Sequence, residues 1–285
     1  MNVRAKRGYA IRAMSARETG IAIDLAAAEG WNPGLHDAGN FHVADPDGFL
    51  VGELDGEPIA TISAVRYGKA FGFIGLYIVK PEFRGKGYGM AIWNAGLDRL
   101  AGRNVGLDGV VAQQDNYRKS GFALAYRNIR FAGTASDGSL DPGIVDASRV
   151  APGAIVRYDA PLFPDERTAF LAAWIAQPDA IALCALDRGE LRGYGVIRRG
   201  RSGWKIGPLD ADSPAIADAL FRALGSSVPA GDGVFLDIPE PNAHALALVE
   251  RHGMRRVFET ARMYTGDFPP LPLERIYGVT TFELG

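Results

Sequence analysis

Three landmarks in this chain recur at a single spacing. Asp55 of the Asp55-Gly56 turn plus 132 is Asp187, next to Arg188-Gly189; Gly75 plus 132 is Gly207; Gly121 of "RKSGF" plus 132 is Gly253 of "ERHGM". One offset shared by three separate landmarks argues for tandem duplication, so the folding unit is made twice. The length of 285 residues agrees, being long for one core and ordinary for two. Glycine and small polar residues crowd "AGTASDGSLDPGIVDASRVAPG" with no packing period, which marks a linker. The expected division is a domain over 1–135, a linker over 136–152 and a second domain over 153–285.

Each unit reads as strand, helix, hairpin, strand, helix, strand, short helix and final strand. In the first unit "YAIRAMS" is a strand, and "SARETGIAIDLAAAEG" is a helix with Ser15 and Glu18 spaced as a capping box. "GFLVGELDGEPIATISAVRYG" is a hairpin around Asp55-Gly56, and "AIALCALDRGELRGYGVIRRG" repeats it around Arg188-Gly189. "FGFIGLYIV" is the next strand, followed by a glycine-rich turn. The helix beyond it places Met90, Trp93, Leu97 and Leu100 on one face. The expected class is α+β, with a mixed, largely antiparallel sheet flanked by helices in each unit.

Composition removes several classes of function. A hydrophobic share of 47% with 22% charged residues describes a globular protein, and a net charge of -2 does not suit a nucleic-acid binder. The single cysteine, Cys184, excludes an intramolecular disulfide framework and a cysteine-based zinc site. No apolar run is long enough for a membrane span, and no signal-peptide core follows the basic start. The expectation is a cytoplasmic protein with no membrane, nucleic-acid or metal partner.

The chemistry gathers in "YIVKPEFRGKGYGMAIWNAGLDRL". Arg84, Gly87 and Gly89 form R-x-x-G-x-G where a strand ends and a helix begins. Glycines there let backbone N–H groups approach a ligand, and the helix N-terminus suits a pyrophosphate. Arg84 and Lys86 add positive charge. A P-loop is excluded because no Gly-Lys-Ser or Gly-Lys-Thr occurs. The dinucleotide fingerprint fails because Met90 stands where its third glycine is needed.

"YIVKPEFRGKGYG" resembles the central motif of the GNAT superfamily of N-acetyltransferases, V-x-P-x-x-R-G-x-G-x-G, and the order of elements over residues 7–133 resembles that fold. The resemblance implies two tandem GNAT-like domains, with acetyl-CoA as co-substrate. It also implies that the backbone of Tyr77, Ile78 and Val79 orients the thioester arm, while Arg84, Gly85, Lys86, Gly87, Tyr88 and Gly89 hold the pyrophosphate. The family pattern Y-x-x-x-G-F is matched by Tyr117 to Phe122. That match implies that Tyr117 protonates the departing thiolate, as suits a phenol with an ordinary pKa of about 10. Asn116 is a loose equivalent of an asparagine that commonly precedes this segment.

The base is not evident, since "FGFIGLYIV" holds no carboxylate. The long loop expected in "EGWNPGLHDAGNFHVADPDGF" falls where the family builds its acceptor wall. Trp31, Asn32, His36 and Asp37 are the candidate substrate-binding residues there, with His42 nearby, and His36 or Asp37 could take a proton. In the second unit "WKIGPLDADSPAIADALFRAL" lacks R-x-x-G-x-G and carries Asp210 and Asp212 instead. Ser213 reads as an N-cap and Pro214 as the first helical residue. Tyr117 plus 132 is Val249, so the acid is missing too. The second domain is therefore expected to keep the fold and lack acetyl-CoA binding. The leading expectation is acetyl transfer to a small-molecule or peptide primary amine by direct attack in the N-terminal domain. The alternative is a non-catalytic acyl-CoA sensor or binding module.

Overall fold

The structure is a computed structural model and describes residues 8–136 and 141–285. The first repeat holds β1 (Tyr9–Ala13), α1 (Thr19–Ala28), α2 (Asp37–Ala44), β2 (Phe49–Leu54), β3 (Glu57–Tyr67), β4 (Phe71–Val79), α3 (Tyr88–Arg99), β5 (Asn104–Val110), α4 (Gln114–Lys119) and β6 (Ala123–Thr134). The second holds β7 (Ile144–Asp146), α5 (Pro152–Asp159), α6 (Thr168–Ile175), β8 (Ala180–Asp187), β9 (Glu190–Arg199), β10 (Trp204–Ala211), α7 (Pro214–Ser226), β11 (Gly233–Pro239), α8 (Ala243–Arg251), β12 (Arg255–Tyr264) and β13 (Ile276–Gly278).

The duplication appears in local backbone detail. Both hairpins turn on two residues of positive φ, Asp55 (51°) with Gly56 (86°) and Arg188 (49°) with Gly189 (82°). Such mirror-image turns match the right-handed twist of the flanking strands. Ser213 caps α7 by accepting from the Ile216 N–H, with Pro214 in the first turn.

All the strands lie in one continuous sheet, in the order β1-β2-β3-β4-β5-β12-β6-β11-β10-β9-β8-β7, with β13 added on β10. Most neighbours are antiparallel, while β4–β5 and β10–β11 are parallel. The last long strand of each repeat has crossed over. β12 pairs with β5 of the first half, β6 pairs with β11 of the second, and β6 and β12 pair with each other. Buried ion pairs join the halves across this seam: Arg130 to Asp237 at 2.6 Å, Arg198 to Asp37 at 3.0 Å and Arg262 to Asp108 at 2.5 Å. α3 covers the first half over Ile62, Ile92 and Trp93, and α7 covers the second over Ile197, Leu220 and Leu224. A third cluster draws Phe41, Phe49 and Trp174 from both halves.

Three expectations change. The tract after α1 is not one long loop, because 37–44 form α2. Phe41 is fully buried there and stacks on Trp174 and Phe49 at 6.1 and 6.5 Å, an apolar contact that holds a helix. The stretch read as linker contains β7, whose Ile144 pairs with Ala185, and residues 137–140 lie outside the described residues. Met90 does not share the buried face of α3; it is 57% exposed at the mouth of the cleft described below.

The closing segment, 276–285, is buried throughout. β13 pairs with Leu209 and Asp210 of β10, and the Val279 N–H donates to Asp237 O of β11 at 2.8 Å. The segment therefore fills the gap where β10 and β11 part, then passes into the first half, where Tyr67 Oη donates to Leu284 O at 3.0 Å. The repeated glycines make room for it. A Cβ at Gly207 would lie 2.5 Å from Val279 O, and a Cβ at Gly75 would overlap Glu283 O.

Candidate active site

Parallel pairing of β4 with β5 covers only Phe71–Ile74 against Asn104–Leu107. Beyond it the strands part. On the β3 side the register steps from Ser63–Gly75 to Thr61–Ile78, an extra residue on β4 that constitutes a bulge. Leu76 sits in it at a φ of 47°, and Thr61 Oγ1 donates to its carbonyl at 2.9 Å. The bulge bends β4 away from β5 and leaves one backbone edge of Tyr77, Ile78 and Val79 without a strand. An extended ligand carrying amide groups can pair with such an edge.

At the end of β4 the chain enters the glycine turn. Pro81 ends the ladder, having no N–H to give. Arg84 Nε donates to Val79 O at 2.8 Å, and its terminal nitrogen pairs with Glu29 at the end of α1. Gly85 and Gly87 have φ of 71° and 84°, which side chains resist, and Gly87 is the residue before α3. Gly89 has another role: a Cβ there would lie 2.7 Å from Tyr77 Oη and 3.1 Å from Val79. Gly87, Gly89 and Met90 at the start of α3 line the opening, at the positive end of the helix dipole.

α4 brings Tyr117 to the same opening. Its ring lies on Trp93 at 5.5 Å, and Gly109 of β5 makes room, since a Cβ there would run into the tyrosine ring. Burial, with a smaller effect from Tyr77, pushes the phenol up to about 12, so it holds its proton at neutral pH. Tyr77, Ile78, Val79, Arg84, Gly85, Gly87, Gly89, Asn116 and Tyr117 all line one cleft of about 600 Å³. Of the other expected residues, Lys86 sits 5.7 Å from the centre of the Phe83 ring and Tyr88 packs on Tyr9 at 4.8 Å; neither lines the cleft.

The opposite wall brings the halves together. Trp31 lines it. Arg130 comes from β6, held by Asp237 and the Trp31 carbonyl, with Phe258 and Phe282 against its guanidinium at 5.9 and 4.9 Å. Asp108, Thr260 and Glu283 complete it. No local motif marks these residues, because β12 and the closing segment reach the site from far along the chain. The repeated Gly75 and Gly207 were the available signal that another backbone comes close.

The other candidates for the acceptor wall hold the halves together. Asn32 Nδ2 donates to Ser202 O at 2.9 Å, and His36 Nε2 meets Asp179 at 2.8 Å on the surface. Asp37 is fully buried. Burial works to raise its pKa, but the charge and hydrogen bond of Arg198 outweigh that and hold it below the ordinary carboxylate value. Neither Asp37 nor His36 lines the cleft, which removes the geometry a base would need.

The corresponding place in the second half is closed. β10 carries the same bulge, between Ile206 and Leu209, but β13 occupies the gap beside it. At the start of α7, Asp212 accepts from Arg275 and Tyr158, each at 2.8 Å.

Comparisons with known proteins agree with this geometry. Residues 16–123 match the acetyltransferase (GNAT) family, and residues 155–278 match an acetyltransferase (GNAT) domain. The chain is 30% identical over 272 residues to a protein named holothin acyltransferase from Pseudoalteromonas sp. (strain SANK 73390), covering 95% of this chain and 92% of that one. A Pyrococcus horikoshii structure described as a candidate acetyltransferase has a TM-score of 0.84 at 24% identity, covering 100% of this chain and 99% of the other. A tandem GNAT protein from the clavulanic acid biosynthesis pathway has a TM-score of 0.65 at 14% identity, covering 91% and 99%. Two tandem GNAT domains sharing one mixed sheet, and an acyltransferase relative aligned over nearly the whole chain, place this protein in the GNAT acetyltransferase family.

Proposed function

We propose that this acyltransferase moves an acetyl group from acetyl-CoA to the primary amine of a small molecule, and that the chemistry takes place in the first half. One observation carries the reading: the parted strands, the Arg84–Gly89 turn and the Tyr117 phenol open on one continuous cleft. The pantetheine arm pairs with the free edge of Tyr77 to Val79, and the pyrophosphate sits on the turn and the first turn of α3. The amine enters from the wall of Trp31, Phe258 and Phe282, which favours a flat, largely apolar acceptor over an extended peptide. Its nitrogen attacks the thioester carbon, the C–S bond breaks, and Tyr117 gives its proton to the thiolate. Positioning the amine against the thioester contributes much of the acceleration. The name of the relative makes holothin the first acceptor to try.

The second half takes no part in acetyl-CoA binding on this reading. Its strand opening is filled by β13, and Asp212 at the start of α7 is already paired with Arg275; Asp210 is buried within β10, so it is not the exposed charge the sequence suggested.

Thiol release from acetyl-CoA with holothin and a panel of small amines tests the proposal. Amine-dependent release accompanied by the acetylated amine is expected. Thermal stabilisation by CoA with no release from any amine would instead favour a binding module.

A further inference from the structure

The cleft needs a group to take the proton of the attacking amine, and β4 carries no carboxylate to do it. Three carboxylates line the cleft: Glu29, Asp108 and Glu283. Glu29 is paired with Arg84. Asp108 accepts from Arg262 through both oxygens, at 3.0 and 2.5 Å, and from Asn128 at 2.8 Å. Both are committed to cations, their oxygens already accepting from arginine N–H groups. Glu283 differs. It is 4% exposed, and its carboxylate accepts from the Thr281 hydroxyl, a neutral partner. Among the described residues no lysine or arginine lies within ion-pair distance of it. Arg130 and Lys205 act on it from further away.

Its placement follows from the backbone. Gly75 lies immediately before the bulge that opens β4, and the Glu283 carbonyl rests where a Cβ of residue 75 would be. The closing segment thus brings Glu283 to the point where the strands part, from a sequence position more than 200 residues away.

We propose that Glu283 is the catalytic base of the reaction. This rests on the acyltransferase reading above. The acceptor nitrogen forms its bond to the thioester carbon, one N–H proton passes to the Glu283 carboxylate, and the electron pair of the breaking C–S bond leaves on sulfur. Tyr117 then protonates the sulfur, and the two residues return to their starting states by exchange with solvent. The products are the amide and CoA thiol.

The experiment compares Glu283→Gln and Glu283→Asp with the wild-type protein in amine-dependent thiol release across pH. Glu283→Gln should lower kcat by about 10²-fold, the lower end of general-base contributions. Its KM for acetyl-CoA should stay within about twofold, and the rising limb of the kcat/KM profile should disappear with little change in Tm. Glu283→Asp should recover part of the rate. Glu283→Gln turnover within about threefold of wild type at every pH would overturn the assignment. A loss that Glu283→Asp does not lessen, with a lowered Tm, would overturn it in favour of a structural role. Absence of release by the wild-type protein would overturn the acyltransferase reading and this assignment together, so the two failures are distinguishable.

Discussion

At the scale of single residues, Gly75 and Tyr117 make the sharpest demands. A methyl group at 75 would push on the closing segment at Glu283, because main chain cannot swing aside as a side chain can. Gly75→Ala should therefore lower stability by about 1–3 kcal/mol, the usual range for overpacking. Turnover should fall with it, as thermal melting and thiol release can show together. Tyr117→Phe removes a proton donor and keeps the ring on Trp93. It should lower kcat by about 10²-fold with the acetyl-CoA KM nearly unchanged, which steady-state kinetics can check. Residues of both kinds differ in how readable they are. Arg84 to Gly89 and Tyr117 to Phe122 stand in short local patterns, so they can be singled out from neighbours in sequence, and both stretches reach the cleft. Glu283 and Phe258 belong to no pattern, and only tertiary contact gives them meaning.

At the scale of elements, the same strand–turn–helix unit occurs twice with opposite outcomes. In both repeats the middle strand is bulged against its antiparallel neighbour and parts from its parallel one. In one the gap stays open with a glycine turn at its end; in the other β13 fills it. The closing strand was not foreseen from the sequence. Arg84 supplies a cation to the open turn, and Glu29 competes for it. Arg84→Ala should raise the acetyl-CoA KM by about tenfold or more, the scale of one charge-assisted hydrogen bond. Glu29→Gln should act the other way and lower that KM by about two- to fivefold, the scale of an exposed ion pair. Initial rates against acetyl-CoA concentration separate the two. α2 was hidden from the sequence because its glycine and asparagine disfavour a helix, and the contact of Phe41 with Trp174 overrides them.

At the scale of the whole molecule, the crossing of β6 and β12 makes one folding unit of two repeats. The offset of the repeats was legible, but the crossing was not. Equal repeats give the same strand pattern whether the last strand stays home or pairs with its counterpart. Without β12 the edge of β5 is bare, so residues 8–136 alone should fail to give a cooperative unfolding transition, and the full chain should melt in one. Asp37→Ala leaves Arg198 buried and unpaired, and should cost about 3–5 kcal/mol in chemical denaturation. Lys205 lies at the same seam, 3% exposed, with its Nζ unpaired. Burial is the main cause that lowers its pKa to about 8; Arg130 and Arg198 add to that, and Glu283 and Asp237 oppose it. The unfolded chain, with an ordinary lysine near 10.4, binds more protons between these values. Stability should thus rise from about pH 8 to pH 10, and Lys205→Met should flatten that rise.

One repeat keeps an open cleft where its strands part, and β13 closes the equivalent gap in the other. Calorimetric titration of the full chain with CoA should give one CoA bound per chain. Two per chain would mean that the second gap opens to ligand, and none would mean that the open cleft is not a CoA site; either result would contradict the proposed function.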